Sequence, residues 1–286
     1  SGFWYMGAVQ IKKILHENPD INFNNVSVNG FPSQYRIVID DYIIKLPQGN
    51  LSGDKLTAVR MFYDFNHTIL WAEGSLHFDG NSGDQLSLSG DAIQASHVMN
   101  KDGEDYFADS RISVDLQNPS IKVRPVFAEG MNISSDQIQF YTLPTETNQT
   151  RMLLNAGNLI FAETDNQNIL SFKKTIVETH FPISPQKSEP MTLDNLALDI
   201  NLPSGELLGI QGDGQLGRSM EGYIDGTLNL KFENMASVLR VLQTHGLLTT
   251  DQVAILSFAL QFQTGSTPNN VSDADTFPLT HASTRG

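Results

Sequence analysis

The chain has 286 residues, and 40% of them are hydrophobic, so it is long and apolar enough to bury a substantial core. Its 18 Lys and Arg face 32 Asp and Glu, and the resulting net charge of −14 argues against nucleic acid as a partner. It contains no cysteine, which excludes disulfides and thiolate metal sites. Among proteins outside the cytoplasm, that absence is more typical of the bacterial envelope than of eukaryotic secretion.

The first predicted element is a helix over about residues 3–17, which ends before Pro19 because proline disfavours helix at the residue preceding it. The helix opens with Phe3, Trp4 and Tyr5, and Trp and Tyr are enriched at membrane–water boundaries. No stretch reaches the ~18 apolar residues of a membrane span. We interpret residues 1–19 as the end of a removed signal anchor, as a helix packed on its own domain, or as both.

From about residue 20 to residue 230 the sequence is dominated by alternation of apolar and polar residues, interrupted by Gly, Asn, Asp and Pro about every 8–12 residues. This spacing predicts antiparallel strands that each bury one face. In the first of them the apolar phase slips by one between Ile21/Phe23 and Val26/Val28, which predicts a bulge or a bend.

The predicted fold is therefore mainly β. We expect a long curved antiparallel sheet, a meander that is open or partly closed, with the N-terminal helix and two C-terminal helices packed on it. Residues 20–286 form one elongated β-rich body in this prediction. The stretch 144–150 lacks apolar residues and marks a soft break within it.

The two C-terminal helices are predicted within residues 235–262. Asn234 is a candidate N-cap for the first, and Thr249 or Thr250 for the second. The second helix carries Leu256, Phe258 and Phe262 and is apolar around most of its circumference, so we expect it to be covered on more than one side.

No motif in the sequence supports catalysis or cofactor binding. Residues 212–217 match G-x-G-x-x-G, but the residues that follow alternate like a strand, whereas a dinucleotide site requires a helix there. The seven histidines lack metal-ligand spacing, and the Asp-rich turns at 79–84 and 100–105 lack the ligand order of a calcium loop. We therefore predict no catalytic, cofactor or metal residues and a protein that is not an enzyme.

Three stretches resemble a family of uncharacterised bacterial envelope proteins, the domain of unknown function 2125. They are "VNGFPSQYRIVIDD" (28–41), "VRPVF" (123–127) and "GQLGRSMEGYIDGTLNLKFENMASVLRVLQTHGLL" (214–248). The resemblance spans most of the chain and implies an N-terminal signal anchor, a periplasmic body and no assigned activity. The family continues past "TFPLT" (276–280) into a further strand, and here the sequence turns polar instead. More distantly, the ending is similar in architecture to AsmA-type envelope proteins.

Our leading hypothesis is a non-enzymatic periplasmic protein, anchored to the inner membrane, that binds a lipid or another apolar ligand on the apolar face of its sheet. The reason is that the one-sided strands offer more apolar area than three amphipathic helices can cover. An assembly module that binds another envelope protein and a hydrolase built from distant residues are the alternatives. The candidate ligand surface consists of Met61, Tyr63, Phe65, Trp71, Phe78, Leu228, Leu230, Phe232, Leu256, Phe258 and Phe262.

Overall fold

The fold is seen in a computed structural model, which describes residues 2–99, 110–126, 130–145, 149–163, 168–182, 191–201, 207–218, 224–235, 239–240, 243, 249–255, 257 and 275–280. It is mainly β, as predicted. The strands belong to one large sheet, and each of the pairings found among the described residues is antiparallel.

The chain forms two compact units. Unit 1 comprises residues 1–144 and 158–169, and unit 2 comprises residues 145–157 and 170–286, so that one boundary falls at the start of the predicted soft break. The elements of unit 1 are α1 (Gly2–Glu17), β1 (Ile21–Asn22), β2 (Asn25–Asn29), β3 (Gln34–Leu46), β4 (Gly49–Met61), β5 (Asp64–Gly80), β6 (Gln85–Ser89), β7 (Ala92–Met99), β8 (Ser110–Gln117), β9 (Ser120–Arg124), β10 (Met131–Ser134) and β11 (Gln137–Pro144). Strand β12 (Gln149–Glu163) has residues in both units. Unit 2 holds β13 (Asn168–Pro182) except for its first two residues, and adds β14 (Met191–Asn201), β15 (Leu207–Arg218), β16 (Ile224–Glu233) and β17 (Asp275–Thr280).

Helix α1 packs on the first strands of unit 1. Its Ala8 is buried against Val28 and Tyr35. Trp4 stacks on Tyr35 with ring centroids 5.7 Å apart, and its indole N–H donates to the carbonyl of Gln34 at 3.0 Å. The predicted N-terminal helix is thus confirmed, and the side of it that carries Trp4, Ala8 and Leu15 packs on its own domain.

In unit 1 the strands form a meander in which the long strands β3, β4 and β5 are followed by pairs of shorter ones. Strands β6 and β7 both pair with β5, each along a different part of it. The next two pairs of strands repeat this division. Strand β9 pairs with β6 and β8 pairs with β7. Strand β10 then pairs with β9, and β11 pairs with β8. Each pair therefore occupies the place of one long strand that is interrupted once.

These interruptions fall opposite one another and form a line across the sheet, which we call the bulge line. It is rich in Asp and Asn, and its members are Asn24, Asp41, Asp54, Gly74, Asp91, Asn118, Asp136 and Asn158. Four of them, on alternate strands, have the left-handed backbone conformation that Asn, Asp and Gly tolerate best; these are Asp41, Gly74, Asn118 and Asn158.

Hydrogen bonds between neighbouring strands hold the bulge line together. The side-chain amide of Asn24 donates to Asp41 at 3.2 Å, that of Asn118 donates to Asp91 at 2.7 Å, and that of Asn158 donates to Asp136. Backbone bonds cross it too, as from the amide of Asn118 to the carbonyl of Asp136 at 2.8 Å. The backbone groups that the interruption frees are thus paired across the line.

The bulge line also shifts the side-chain phase in most of the strands that it crosses. In β3 the apolar residues Ile37 and Ile39 precede Asp41, whereas Tyr42 and Ile44 follow it in the other phase. In a regular strand Tyr42 and Ile44 would lie on the face opposite to Ile37 and Ile39. Because the bulge shifts the phase, Ile39 and Tyr42 instead belong to the same buried cluster. The phase slip predicted at Ile21–Val28 is the first member of this series.

Unit 2 is a simple meander in which β13 to β17 pair in sequence order. The G-x-G-x-x-G stretch lies inside β15, as the sequence argument against a dinucleotide site requires. Gly212 and Gly214 lie opposite Leu230 and Leu228 of β16, and a Cβ at Gly212 would be 2.5 Å from a Leu230 methyl group. The glycines therefore give these leucines room to lie across the strand.

At the C-terminus the structure agrees with the predicted helices where it describes them. Residues 235, 239–240 and 243 and residues 250–255 and 257 are helical. Thr249 caps the second helix, because its hydroxyl accepts from the amide of Gln252 at 3.3 Å while the Gln252 side chain accepts from the amide of Thr249 at 2.9 Å. Asn234 instead uses its side chain to donate to the carbonyl of Leu207. The strand Asp275–Thr280, which contains Pro278, was not predicted.

Replacement of Asn118 tests the bulge line. Asn118→Ala removes the bond to Asp91 and places at φ +46° a residue that tolerates this conformation less well than asparagine does, so we expect a loss of about 1–3 kcal/mol in the free energy of unfolding. Asn118→Gly removes the same hydrogen bond but tolerates the conformation, and should lose less. Urea denaturation measures both, and equal losses would contradict a conformational role for this residue.

The packing of α1 can be tested at Gly7, where an added Cβ would overlap the Tyr35 hydroxyl and lie 2.9 Å from its Cζ. Alanine favours helix by about 1 kcal/mol over glycine, yet Gly7→Ala should destabilise the docked helix through this clash. The control is Gly2→Ala in the same helix, where a Cβ meets nothing within 4 Å. In a Trp71→Phe background the fluorescence of Trp4 reports the docking, and an unchanged Gly7→Ala spectrum would refute the contact.

Candidate functional site: an apolar sheet face

The candidate site is the apolar face of the sheet in unit 1, the face on which α1 packs. Two rows of opposed residues define it, one on each side of the bulge line. The first row is Ile39, Leu56, Ala72, Ile93, Leu116 and Ile138. The second row is Tyr42, Gly53, Leu76, Leu88, Ile121 and Ile133. Each row runs over six successive strands without a charged side chain.

The opposite face of the same strands is polar and hydrogen-bonded within itself. Asp115 accepts from the side-chain amides of Gln117 at 2.7 Å and Gln137 at 3.0 Å. Further along this face Lys55 forms an ion pair with Glu73 at 2.8 Å. These polar groups are paired with each other on the same face, so the two faces differ in the ligand chemistry that they suit.

Coverage of the apolar face changes along the sheet. Where α1 lies, Leu15 contributes to a cluster in which Ile39 and Tyr42 are buried. Ile93 and Leu116, next to the bulge line, are buried as well. Farther from α1, Leu88, Ile121 and Ile133 are only partly buried. Leaving apolar area open costs ~25 cal/mol per Å², so the uncovered strands are the part of this face best suited to an apolar ligand.

Tyr42 shows that the apolar face is shielded from water beneath α1. The side chain is 1% exposed, and its hydroxyl has no hydrogen-bond partner among the residues that the structure describes. Burial, reinforced by the nearby Asp54 carboxylate, raises the pKa of Tyr42 to about 12, because the phenolate is the form that loses solvation. An aromatic side chain is thus held here for its packing rather than for its polar group.

The residues that the sequence proposed for a ligand surface are only partly brought together in unit 1. Phe78 lies on the apolar face, two residues beyond Leu76. Trp71 alternates with Leu70 and Ala72 and so lies on the polar face. Met61 ends β4 and Tyr63 lies in the following turn, so the single strand face expected from Met61 to Phe65 is a hairpin tip instead.

That hairpin tip forms an exposed aromatic cluster with the neighbouring turn and the start of α1. Phe65 is 48% exposed and contacts Phe62, while Tyr63 is 79% exposed. Phe31 of the neighbouring turn packs edge-on against Trp4.

In unit 2 the structure places Leu228, Leu230 and Phe232 on one face of β16, as predicted, and all three are partly buried. Their neighbours on β15 are Gly214, Gly212 and Ile210. Leu256, Phe258 and Phe262 lie outside the residues that the structure describes. Unit 2 therefore presents an apolar strip of its own.

Most members of the apolar face in unit 1 were not among the predicted site residues. Leu88, Ile93, Leu116, Ile121 and Ile133 all lie in segments whose alternation is visible in the sequence. The alternation shows that each strand has an apolar phase, but only the strand register shows that these phases meet on one face.

No enzyme-like cluster emerges in the described part of the chain. The structure pairs His180 with Asp194 on β13 and β14, where both side chains are partly exposed. The described residues include no group of three or more His, Asp and Glu side chains arranged to hold a metal ion. Nor does any described helix have the length and apolar character to cross a membrane.

The buried phenol gives a prediction for high pH. Because the pKa of Tyr42 in the folded state lies above the unfolded value of about 10, its contribution to stability is complete below pH 10 and is lost as the pH rises towards about 12. We expect Tyr42→Phe to abolish this loss, which amounts to about 1.4 kcal/mol per pH unit at most. Urea unfolding at pH 9 and pH 11 (about 1 unit either side of the unfolded pKa) provides the measurement. An equal loss of unfolding free energy between these two pH values in the wild type and in Tyr42→Phe would contradict the prediction.

Comparison with known proteins supports the family resemblance. A family model described as "uncharacterized protein conserved in bacteria", the domain of unknown function 2125, matches residues 17–280. No curated protein and no solved structure matches the chain significantly. Because the match extends from the end of α1 to the last strand, the chain belongs to the bacterial family of the domain of unknown function 2125.

Proposed function

We propose that the protein binds a lipid or another apolar chain on the apolar face of unit 1, and that it does so in the bacterial periplasm, anchored to the inner membrane. The observation that carries the proposal is the pair of apolar rows that cross this face from β3 to β11 without a charged side chain, together with the partial exposure of Leu88, Ile121 and Ile133. Such a surface suits a ligand without polar groups, since it offers contact area rather than hydrogen bonds.

The width of the face favours an elongated ligand. Neighbouring strands lie about 4.8 Å apart, so the strip from β5 to β10, which passes over β6 and β9, spans roughly 14 Å, comparable to much of an acyl chain. Helix α1 covers the apolar face at β3, so this strip is the part of the face that a ligand would occupy.

The aromatic cluster at the start of α1 supports the membrane part of the proposal. Phe31, Phe62, Tyr63 and Phe65 are each at least 43% exposed, at turns adjacent to Trp4. Exposed aromatic rings of this kind suit the boundary between lipid headgroups and acyl chains. A bilayer contact at these turns would bring the apolar face of unit 1 close to a source of lipid.

Polar substitutions on the apolar face should abolish ligand binding. Val114 of β8 shares the phase of Leu116 and lies opposite Ala95 on the apolar face. Leu88→Gln combined with Val114→Gln places two amides at partly exposed positions of this face, and we expect it to weaken binding of a fluorescent fatty acid by about ten-fold or more. The matched control is Ser87→Gln with Ser113→Gln, which alters the neighbouring residues on the polar face. Fluorescence titration gives the affinities, and circular dichroism verifies that both variants fold.

Mass spectrometry of the wild-type protein purified from bacterial membranes provides the direct test. Lipid that co-purifies with the wild type and the control, but not with the Leu88/Val114 variant, is the expected result. A lipid-free wild type, or equal weakening by both pairs of substitutions, would refute the proposal. A single dominant protein adduct on cross-linking in cells, with no lipid, would instead favour the assembly module.

A further inference from the structure

The polar face of unit 1 contains a cavity that the proposed function does not use. It has a volume of about 550 Å³ and lies over β9, β10 and the part of β12 that belongs to unit 1. This volume falls in the range typical of small-molecule sites. Its lining combines apolar residues of these strands with five polar ones, which carry the argument; the five are Ser120, Lys122, Arg124, Asn132 and Ser134.

Strand register brings the polar members of this set to the same face. Lys122 of β9 lies opposite Asn132 of β10, and Ser120 lies opposite Ser134. Arg124 follows Lys122 in the same phase, since residues two apart in a strand point to the same side. Val123, between the two basic residues, belongs to the other phase. An ammonium, a guanidinium, an amide and two hydroxyl groups thus surround one cavity.

The charge of this cavity is opposite to that of the protein as a whole. The chain carries −14, yet the lining residues include two cations and no carboxylate. Within the described part of the chain neither Lys122 nor Arg124 has an ion-pair partner, unlike Lys55 with Glu73. Two unneutralised cations next to hydroxyl and amide donors match an oxyanion of charge near −2.

We propose that this cavity binds a phosphate monoester. A phosphate monoester carries about −1.5 to −2 charges at neutral pH and three acceptor oxygens, which matches two cations with neutral donors better than a singly charged carboxylate does. Arginine binds such a group with two parallel N–H donors, while lysine supplies a point charge. The remaining volume, lined in part by Ile160 and Ala162, accommodates the organic part of the ligand. The five polar side chains lie on the face opposite to the apolar one, so the proposal does not depend on lipid binding there.

Phenyl phosphate is the probe, and calorimetric titration of the full chain at physiological ionic strength is the measurement. The wild type should bind phenyl phosphate saturably and more tightly than benzoate. Lys122→Gln with Arg124→Gln should weaken this binding by about ten-fold or more. The matched control, Lys45→Gln with Arg111→Gln, removes two exposed cations from the same unit and should change the affinity by less than about two-fold.

A second arm identifies the source of the phosphate. Binding to vesicles that contain phosphatidic acid, but not to pure phosphatidylcholine vesicles, with the same dependence on Lys122 and Arg124, assigns a lipid headgroup. Binding of phenyl phosphate without vesicle binding assigns a soluble phosphate monoester. Absence of saturable phenyl phosphate binding by the wild type, or equal weakening in the pocket and control variants, would overturn the proposal, whatever the fate of fatty acid binding.

Discussion

The structure depends on one constraint, which is that side chains of a β-strand alternate between two faces and that neighbouring antiparallel strands keep this alternation in register. Every strand of unit 1 from β3 to β11 satisfies it with its apolar phase on the same side. A one-residue slip in any strand would place its apolar residues among the hydrogen-bonded glutamines and ion pairs of the other face. The apolar face and the polar face are therefore two results of a single register.

The bulge line makes this constraint compatible with strands as long as β5, which has 17 residues. Such strands accumulate twist, and a bulge changes the local twist at the cost of shifting the phase by one residue. Here the sequence accommodates the shift, because the apolar pattern changes phase at the same point as the backbone. Asp and Asn suit these positions since they tolerate the left-handed conformation and bond to each other across strands.

The two binding proposals follow from the opposite physical properties of the two faces. On one face, partly exposed leucine and isoleucine side chains away from α1 lose free energy to water and gain it from an apolar ligand. On the other face, Lys122 and Arg124 have no carboxylate partner among the described residues, unlike Lys55, so we propose that an external anion takes its place. In an acidic chain, such a local cationic site acts at short range, because the wider field repels anions.

Most helices and strands of this protein can be predicted from local sequence patterns. Proline at residue 19 ends α1, alternation defines the strands, the slip between Phe23 and Val26 reveals the first bulge, and the alternation after residue 217 predicts the strand found at Ile224–Glu233. These features are local, so a few neighbouring residues suffice to predict them. The sequence did not reveal the hairpin turn at Phe62–Tyr63, where aromatic residues replace the usual turn residues, or the Pro-containing strand at 275–280.

Only the tertiary structure decided which residues share a face. Trp71 was assigned to the ligand surface on its hydrophobicity, yet register places it on the polar side, while Leu88, Ile121 and Ile133 come together from three separate strands. The cavity around Lys122 and Asn132 arises in the same way, from residues ten positions apart. Register depends on pairings between distant segments, and alternation within one strand specifies two faces without specifying which of them meets the neighbour's apolar side.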